Sequence, residues 1–415
     1  RRGGGRVPPL AWRVVSAYLD HAATTPMRPA AIDAMLPFLD VRYANPSGAH
    51  RMARDARRAI DDARDVFAAL IGAKPGEVVF TSGGTESDNL AVFGAGLSGA
   101  AGLTAAHGTV VCSSVEHHAV LDPVLALGGR TVGVDATGRL DLDDLVAVLE
   151  AEAARAEAGE SAGVRLVSLM AANNEVGTIQ PLAEAAEIVR RLAPGAALHT
   201  DAVQAFCWTD VAALTSVADL VSLSAHKFGG PKGVGVLVVR DGVALTPRQM
   251  GGGQERGHRS GTQNVPGIVA AGVAAQLAAD GRAAEIERIG KLRDRLLDGL
   301  AASVPGLLET GAVPGDGGPD RRGRVAGTAH VCIEGVESEA LLFLLERDDV
   351  YASAASSCSS GAMEASHVLS AMGVPADVRN GSLRLSLGWS TTDAEIDHAL
   401  AVVPPAVERL RAGGL

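Results

Sequence analysis

Ser-Leu-Ser-Ala-His-Lys-Phe-Gly-Gly-Pro-Lys-Gly-Val-Gly, residues Ser222 to Gly235, sets a lysine on a polar turn between two apolar runs. The run before it (Ala218 to Leu223) and the run after it (Val234 to Val239) read as buried strands, so Lys227 is expected where one strand turns into the next. A lysine in such a turn, close to a second cation (Lys232) and partly desolvated, loses proton affinity and becomes an amine nucleophile toward an aldehyde. A lysine in a Gly-rich hairpin taken alone is a surface residue; the company it keeps decides otherwise.

Two further stretches supply that company. His199-Thr200-Asp201 closes the apolar run Ala196 to Leu198, which puts the Asp201 carboxylate at a strand end. Ser82-Gly83-Gly84-Thr85-Glu86-Ser87-Asp88-Asn89 follows the strand-like Val78-Val79-Phe80 and opens a helix, so its backbone N–H groups form an anion cradle, with Ser224 and His226 as helpers. An amine, an anion cradle and a carboxylate that would keep a pyridine nitrogen protonated are the parts of a pyridoxal phosphate site. From about residue 75 to 240 strand-like and helical runs alternate, the pattern of a doubly wound, mostly parallel α/β sheet with its site at the strand C-termini. Gly251 to Arg256 is not a dinucleotide fingerprint, because the third glycine falls on Arg256, and no Gly-Lys-Ser/Thr closes Gly229 to Gly235 as a P-loop.

With 415 residues, 47% of them hydrophobic, the chain buries a large core and favours two or three domains. A net charge of −11 disfavours nucleic acid as a partner and gives no basic membrane patch. Apolar runs stay shorter than a membrane span and no secretory pattern opens the chain, so a cytoplasmic protein is expected. The four cysteines show no CxxC spacing, which points to neither a disulfide framework nor zinc. Cys112, Cys207 and Cys332 read as small core residues. Adjacent residues seldom converge on one ion, so Glu116, His117 and His118 are not read as a metal site.

The lysine turn, HTDAVQ (199 to 204), SGGTESDN (82 to 89) and a small-residue loop around Cys358, in that set and in chain order, resemble a cysteine desulfurase of the class V aminotransferase-like branch of fold type I pyridoxal phosphate enzymes. The resemblance runs from about Tyr18 to about Asp393. It implies a large sheet domain over 18–275 and a smaller α+β domain over 276–415 carrying the Cys358 loop, while residues 1–17, with Arg and Gly in excess, read as a disordered leader. It also assigns roles: His117 stacks on the cofactor ring, Asp201 holds its nitrogen, Asn174 and Gln204 meet its phenolic oxygen, and Gly84, Thr85, Ser224 and His226 hold its phosphate. Thr262, in the Arg256-to-Thr262 segment, would reach the phosphate of the other subunit of a homodimer. Asn45 and Arg384 would meet the substrate carboxylate, against an alternative in which Asn45 only caps its own turn and Arg384 faces solvent from an edge strand.

The loop Val350 to Gly361 is uncharged and small, and offers Cys358 no apolar neighbours to bury it; a helical run is expected from Met363 to Met372. The implied chemistry is removal of sulfur from L-cysteine: Lys227 exchanges with the substrate amine, Lys227 or His117 moves the α-proton, and the Cys358 thiolate attacks the substrate sulfur, leaving alanine and a Cys358 persulfide. An iron–sulfur scaffold protein or a thiolation enzyme would then take the sulfur. A class V aminotransferase or lyase of other substrate would share Lys227 and Asp201 without needing Cys358, and a non-catalytic pyridoxal phosphate protein would release no sulfur.

Overall fold

In the computed structural model the described residues are 16–96, 108–315, 318–354, 358–359, 362–363 and 366–413, with the side chains of 358–359 and 362–363 outside that description. A two-residue strand β1 (Ala17–Tyr18) precedes helices α1 (Pro29–Leu39) and α2 (Arg51–Ile71), strand β2 (Val78–Thr81) and helix α3 (Gly84–Gly94). Strands and helices then alternate: β3 (Thr109–Ser113), α4 (His118–Ala126), β4 (Arg130–Val132), α5 (Leu142–Glu157), β5 (Val164–Ser168), α6 (Leu182–Leu192), β6 (Ala197–Asp201), α7 (Val211–Thr215), β7 (Leu220–Ser224) and β8 (Gly235–Val239). After the long α8 (Val265–Ser303) come β9 (Leu307–Glu309), β10 (Thr328–Ile333), α9 (Ser338–Arg347), β11 (Val350–Tyr351), β12 (Cys358–Ser359) and β13 (Ala362–Met363). The chain closes with α10 (His367–Ala371), α11 (Ala376–Arg379), β14 (Ser382–Ser386) and α12 (Asp393–Arg411).

Seven strands form the main sheet in the order β2-β8-β7-β6-β5-β3-β4. The pairs from β7 to β4 are parallel, whereas β8 runs antiparallel between β7 and β2. Every residue of β7 and β8 is buried, because helices cover both faces, and this is why β8 reads as an unbroken apolar run and β7 as one interrupted only by serine. Helix α2 shows the complementary pattern: Ala53, Ala56, Ile60, Ala63, Phe67 and Ile71 recur at helical spacing and are buried, and Gly72 stops the helix in the left-handed region at φ 62°.

A second core joins Ala17 and Leu19 to the distal half of α8, β10, α9, β14 and α12. Strand β1, paired in parallel with β11, begins inside the stretch expected to be leader, and α8 runs unbroken through the expected boundary at 275. The helix expected from Met363 starts only at His367: the Ser366 side chain accepts the Leu369 N–H and fixes the N-cap there, while Ala362–Met363 pairs with Cys358–Ser359. Among the described residues no helix is long and apolar enough to cross a membrane.

Candidate active site

The C-terminal ends of β6 and β7 and the start of α3 meet around a cavity of about 490 Å³. Its lining includes Gly84, Thr85, His117, Asn174, Asp201, Gln204, Ser224, His226, Lys227 and Arg384, drawn from six separate stretches of chain. The close approach of these stretches depends on glycine. A Cβ at Gly235 would lie 2.4 Å from the Gly83 carbonyl, so the strand after the lysine turn and the start of the anion cradle pack backbone to backbone. Gly229, at φ 87°, turns the chain two residues after Lys227.

Lys227 Nζ donates to the carbonyl of Ala22 and to that of Ala23 at 2.8 Å. Burial, then the nearby Arg384 guanidinium, bring its pKa down to about 8, against a partial upward pull from Asp201 and Asp20. Asp201 is buried and its Oδ1 accepts the Val203 N–H at 2.8 Å. Asp88 also lines the cavity, buried and with Oδ1 lacking a hydrogen bond, 3.7 Å from His199 Nε2; burial, with repulsion between the two carboxylates, pushes it well above the usual range. A protonated ring nitrogen beside Asp201 would relieve such a pair. His199 stands next to these acids as a neutral ring, bridging Ser168 Oγ at 2.7 Å and Ser222 Oγ at 2.9 Å.

His117 caps α4, its Nδ1 accepting the Ala119 N–H at 3.1 Å, and burial lowers its pKa to about 4. It is therefore a neutral ring in the cavity, while His118, its neighbour, turns away to Asp122 at 2.9 Å. His226, lowered to about 4 by burial, contacts Thr24 Oγ1 at 3.2 Å. Asn174 Oδ1 is buried without a hydrogen-bond partner, and Gln204 Nε2 donates to Ala22 O at 2.9 Å. The loop that carries Asn174 is held by Asn173, whose Oδ1 accepts from Glu175 and Val176 N–H, each at 2.9 Å.

Arg384 is buried rather than solvent-facing, its side chain 6% exposed. Nη1 donates to Asn174 O and Nη2 to Asp20 Oδ1, each at 3.0 Å. Two candidates stand apart from the cavity: Asn45, exposed, accepts the Ser47 N–H at 2.9 Å in its own turn, and Thr262 is exposed. The Cys358 side chain lies outside the described residues, but both roots of its loop are described. At the first root Ser353 pairs with Arg384 main chain to main chain and Ala354 O accepts from Ser382 Oγ; at the second, Ser366 Oγ donates to the buried Glu175 carboxylate. Of the other cysteines, Cys112 and Cys332 are buried, while Cys207 is half-buried with Sγ 3.7 Å from Lys227 O.

Sequence reasoning gave no role to Asp20, Ala22, Ala23, Asp88 or Ser353, although Asp88 lies within the SGGTESDN stretch. Arg259, noted only as part of its segment, proves to reach back across the chain to Glu86 at 2.8 Å, pinning the cradle.

A family model described as aminotransferase class-V matches residues 17–399. An IscS-like cysteine desulfurase of Mycobacterium tuberculosis is 44% identical over 96% of this chain and 98% of its own length. The cysteine desulfurase IscS of Methanosarcina thermophila is 42% identical over 95% and 93%. Among solved structures, a NifS-like protein superposes with a TM-score of 0.81 at 33% identity, covering 95% of this chain and 99% of that one. A structure of SspA in complex with cysteine superposes at 0.69 with 30% identity, covering 90% and 99%.

Proposed function

Because the chain belongs to the aminotransferase class-V family, in its cysteine desulfurase branch, we propose that Lys227, Asp201 and Cys358 divide among them the removal of sulfur from L-cysteine. The reaction gives L-alanine and an enzyme-bound persulfide. The single observation that carries this reading is the gathering of Lys227, Asp201, His117, Thr85, Asn174 and Arg384 around one cavity.

The residues fit pyridoxal phosphate, the cofactor of this family. Asn174 Oδ1 is a buried acceptor left without a protein partner. At Gly84 a Cβ would press on Val203 at 3.1 Å and Ser224 at 3.4 Å, so the cradle depends on glycine there. Gly84, Thr85, Ser224 and His226 would hold the phosphate, Asp201 the ring nitrogen, Asn174 and Gln204 the phenolic oxygen side, and His117 the ring face. When bound, the cofactor supplies the electron sink that lets the substrate's α-proton leave.

Every other step belongs to the chain's own side chains. Lys227, with its lowered pKa, has a substantial amine fraction near neutral pH and takes the α-proton as a base. His117, kept neutral by burial, orients without adding charge. Arg384 takes the substrate carboxylate. The Cys358 thiolate attacks the substrate sulfur: a new S–S bond forms, the C–S bond breaks, and its electron pair stays with the carbon skeleton that becomes alanine once protonated. The persulfide then passes to an acceptor protein, an iron–sulfur scaffold or a thiolation enzyme.

The working unit is a homodimer, with Thr262 reaching the partner's phosphate. In support, Thr262 is exposed and away from its own chain's cavity, and Ile32, Leu36, Leu39, Val41 and Tyr43 leave an exposed apolar strip along and after α1.

The test supplies L-cysteine and a thiol reductant and quantifies alanine and sulfide together. Equal amounts from the wild type, and loss of both with Cys358→Ala, are expected. Undiminished turnover in Cys358→Ala would remove the persulfide step, and turnover in neither protein would remove cysteine as the substrate.

A further inference from the structure

Among the described residues Arg384 is the one guanidinium lining the cavity, and its geometry is set by two residues far apart in the chain. Nη1 is held by Asn174 O at 3.0 Å and Nη2 by the Asp20 carboxylate at 3.0 Å. Nε is buried with no partner, so those two contacts are what orient the plane of the group. Each terminal nitrogen carries two N–H groups and gives one to the protein, which leaves one on each. A pair of N–H groups on the two terminal nitrogens is the end-on fork that grips a carboxylate through both oxygens.

Asp20 also answers an electrostatic problem. Arg384 and Lys227 are two cations lining one cavity, and the guanidinium depresses the lysine's affinity for its proton while Asp20 opposes that effect. A cation whose side chain is 6% exposed is costly without a paired anion, and Asp20, 23% exposed, is its salt-bridge partner. The aspartate is itself fixed. Tyr18 of β1 donates its hydroxyl to Asp20 O at 3.2 Å and to Thr24 O at 2.9 Å, and Asp20 bridges Ser386 of β14, two residues along from Arg384.

We propose that Asp20 is a positioning residue for substrate recognition, clamping the Arg384 guanidinium in the orientation that receives the α-carboxylate of the amino acid. The ligand class is thus an α-amino acid with a free carboxylate, and an amine without one gains nothing from Asp20. This rests on the assignment of the cavity as the amino-acid site.

The test uses the cofactor-loaded protein and reads the visible absorption change on titration with L-alanine and, separately, with cysteamine, which lacks the carboxylate. These titrations report binding whether or not sulfur is released, and wild-type cysteine turnover is followed in parallel as the check on the activity itself. For Asp20→Ala the L-alanine Kd rises about tenfold or more, as loss of a preorganised charged contact does, and the cysteamine Kd stays within about twofold. In turnover the KM for L-cysteine rises with the L-alanine Kd while kcat changes by less than about threefold. Asp20→Asn, near-isosteric and still an acceptor for Nη2, gives a smaller rise of about threefold and keeps the inference testable if the alanine variant folds poorly. An unchanged L-alanine Kd, or an equal rise for both ligands, would overturn the role given to Asp20.

Discussion

Lys227 carries a charge that its surroundings disfavour: burial and Arg384 together lower its pKa to about 8. Below that value the side chain is an ammonium with no lone pair, and above it an amine. The protein freed of cofactor is therefore expected to take up pyridoxal phosphate at a rate that falls about tenfold per pH unit on the acid side of the midpoint and levels off above it. Growth of visible absorbance after mixing measures this, and a flat profile from about pH 6 to 9 would contradict it. Lys227 and Asp201 were legible in the sequence because each sits in a short motif at the end of an apolar run, and His117, Asn174 and Arg384 only through the resemblance; all five line one cavity. Asp20 was legible by neither route. Its partner lies 364 residues away, and no local pattern distinguishes an aspartate that will meet an arginine at that remove.

At the level of elements, the apolar runs gave the strands at β7 and β8 because burial on both faces leaves no charged residue to break the reading. The stretch after Cys358 was misread as helix from Met363, whereas a single side chain, Ser366, caps the helix that begins at His367. That serine does two things, capping α10 through Leu369 N and donating to the buried Glu175, whose pKa burial raises to about 7. Ser366→Ala is expected to lower unfolding free energy by roughly 1–3 kcal/mol, the sum of a lost cap and a buried carboxyl left without its donor. The shift of the urea midpoint at constant slope checks it. The small hydrophobic cluster of Val115, Met170, Val176, Cys332, Val368 and Leu369 packs at the same place, so the second root of the loop is fastened to both the sheet and the smaller core.

Over the whole molecule, the alternation of runs made a doubly wound sheet legible, but strand order was not. That β8 returns antiparallel between β7 and β2 follows from which edge the chain crosses, and this depends on packing between distant helices. The division expected at 275 falls within α8, which runs as one helix and serves the large core through Ala270 and Ala274 and the small one through Leu296 and Leu300. Sedimentation is expected to give twice the mass of one chain, and Leu36→Asp, which puts a charge in the exposed strip of α1, to weaken that association about tenfold or more. A single-chain mass for the wild type would refute the homodimer.

The fastened loop also sets a distance. Cys358 is the fourth residue after Ala354, and Ala354 is 4% exposed, held by Ser382. Extended backbone advances at most about 3.6 Å per residue, so the Cα of Cys358 stays within a sphere of roughly 14 Å around that buried point, whatever the longer arm to Ser366 permits. On the role proposed for Cys358, sulfur delivery is a question of radius: a carrier that collects at the cavity and unloads within the same small sphere would oblige the acceptor to come to the doorstep and present its receiving atom there.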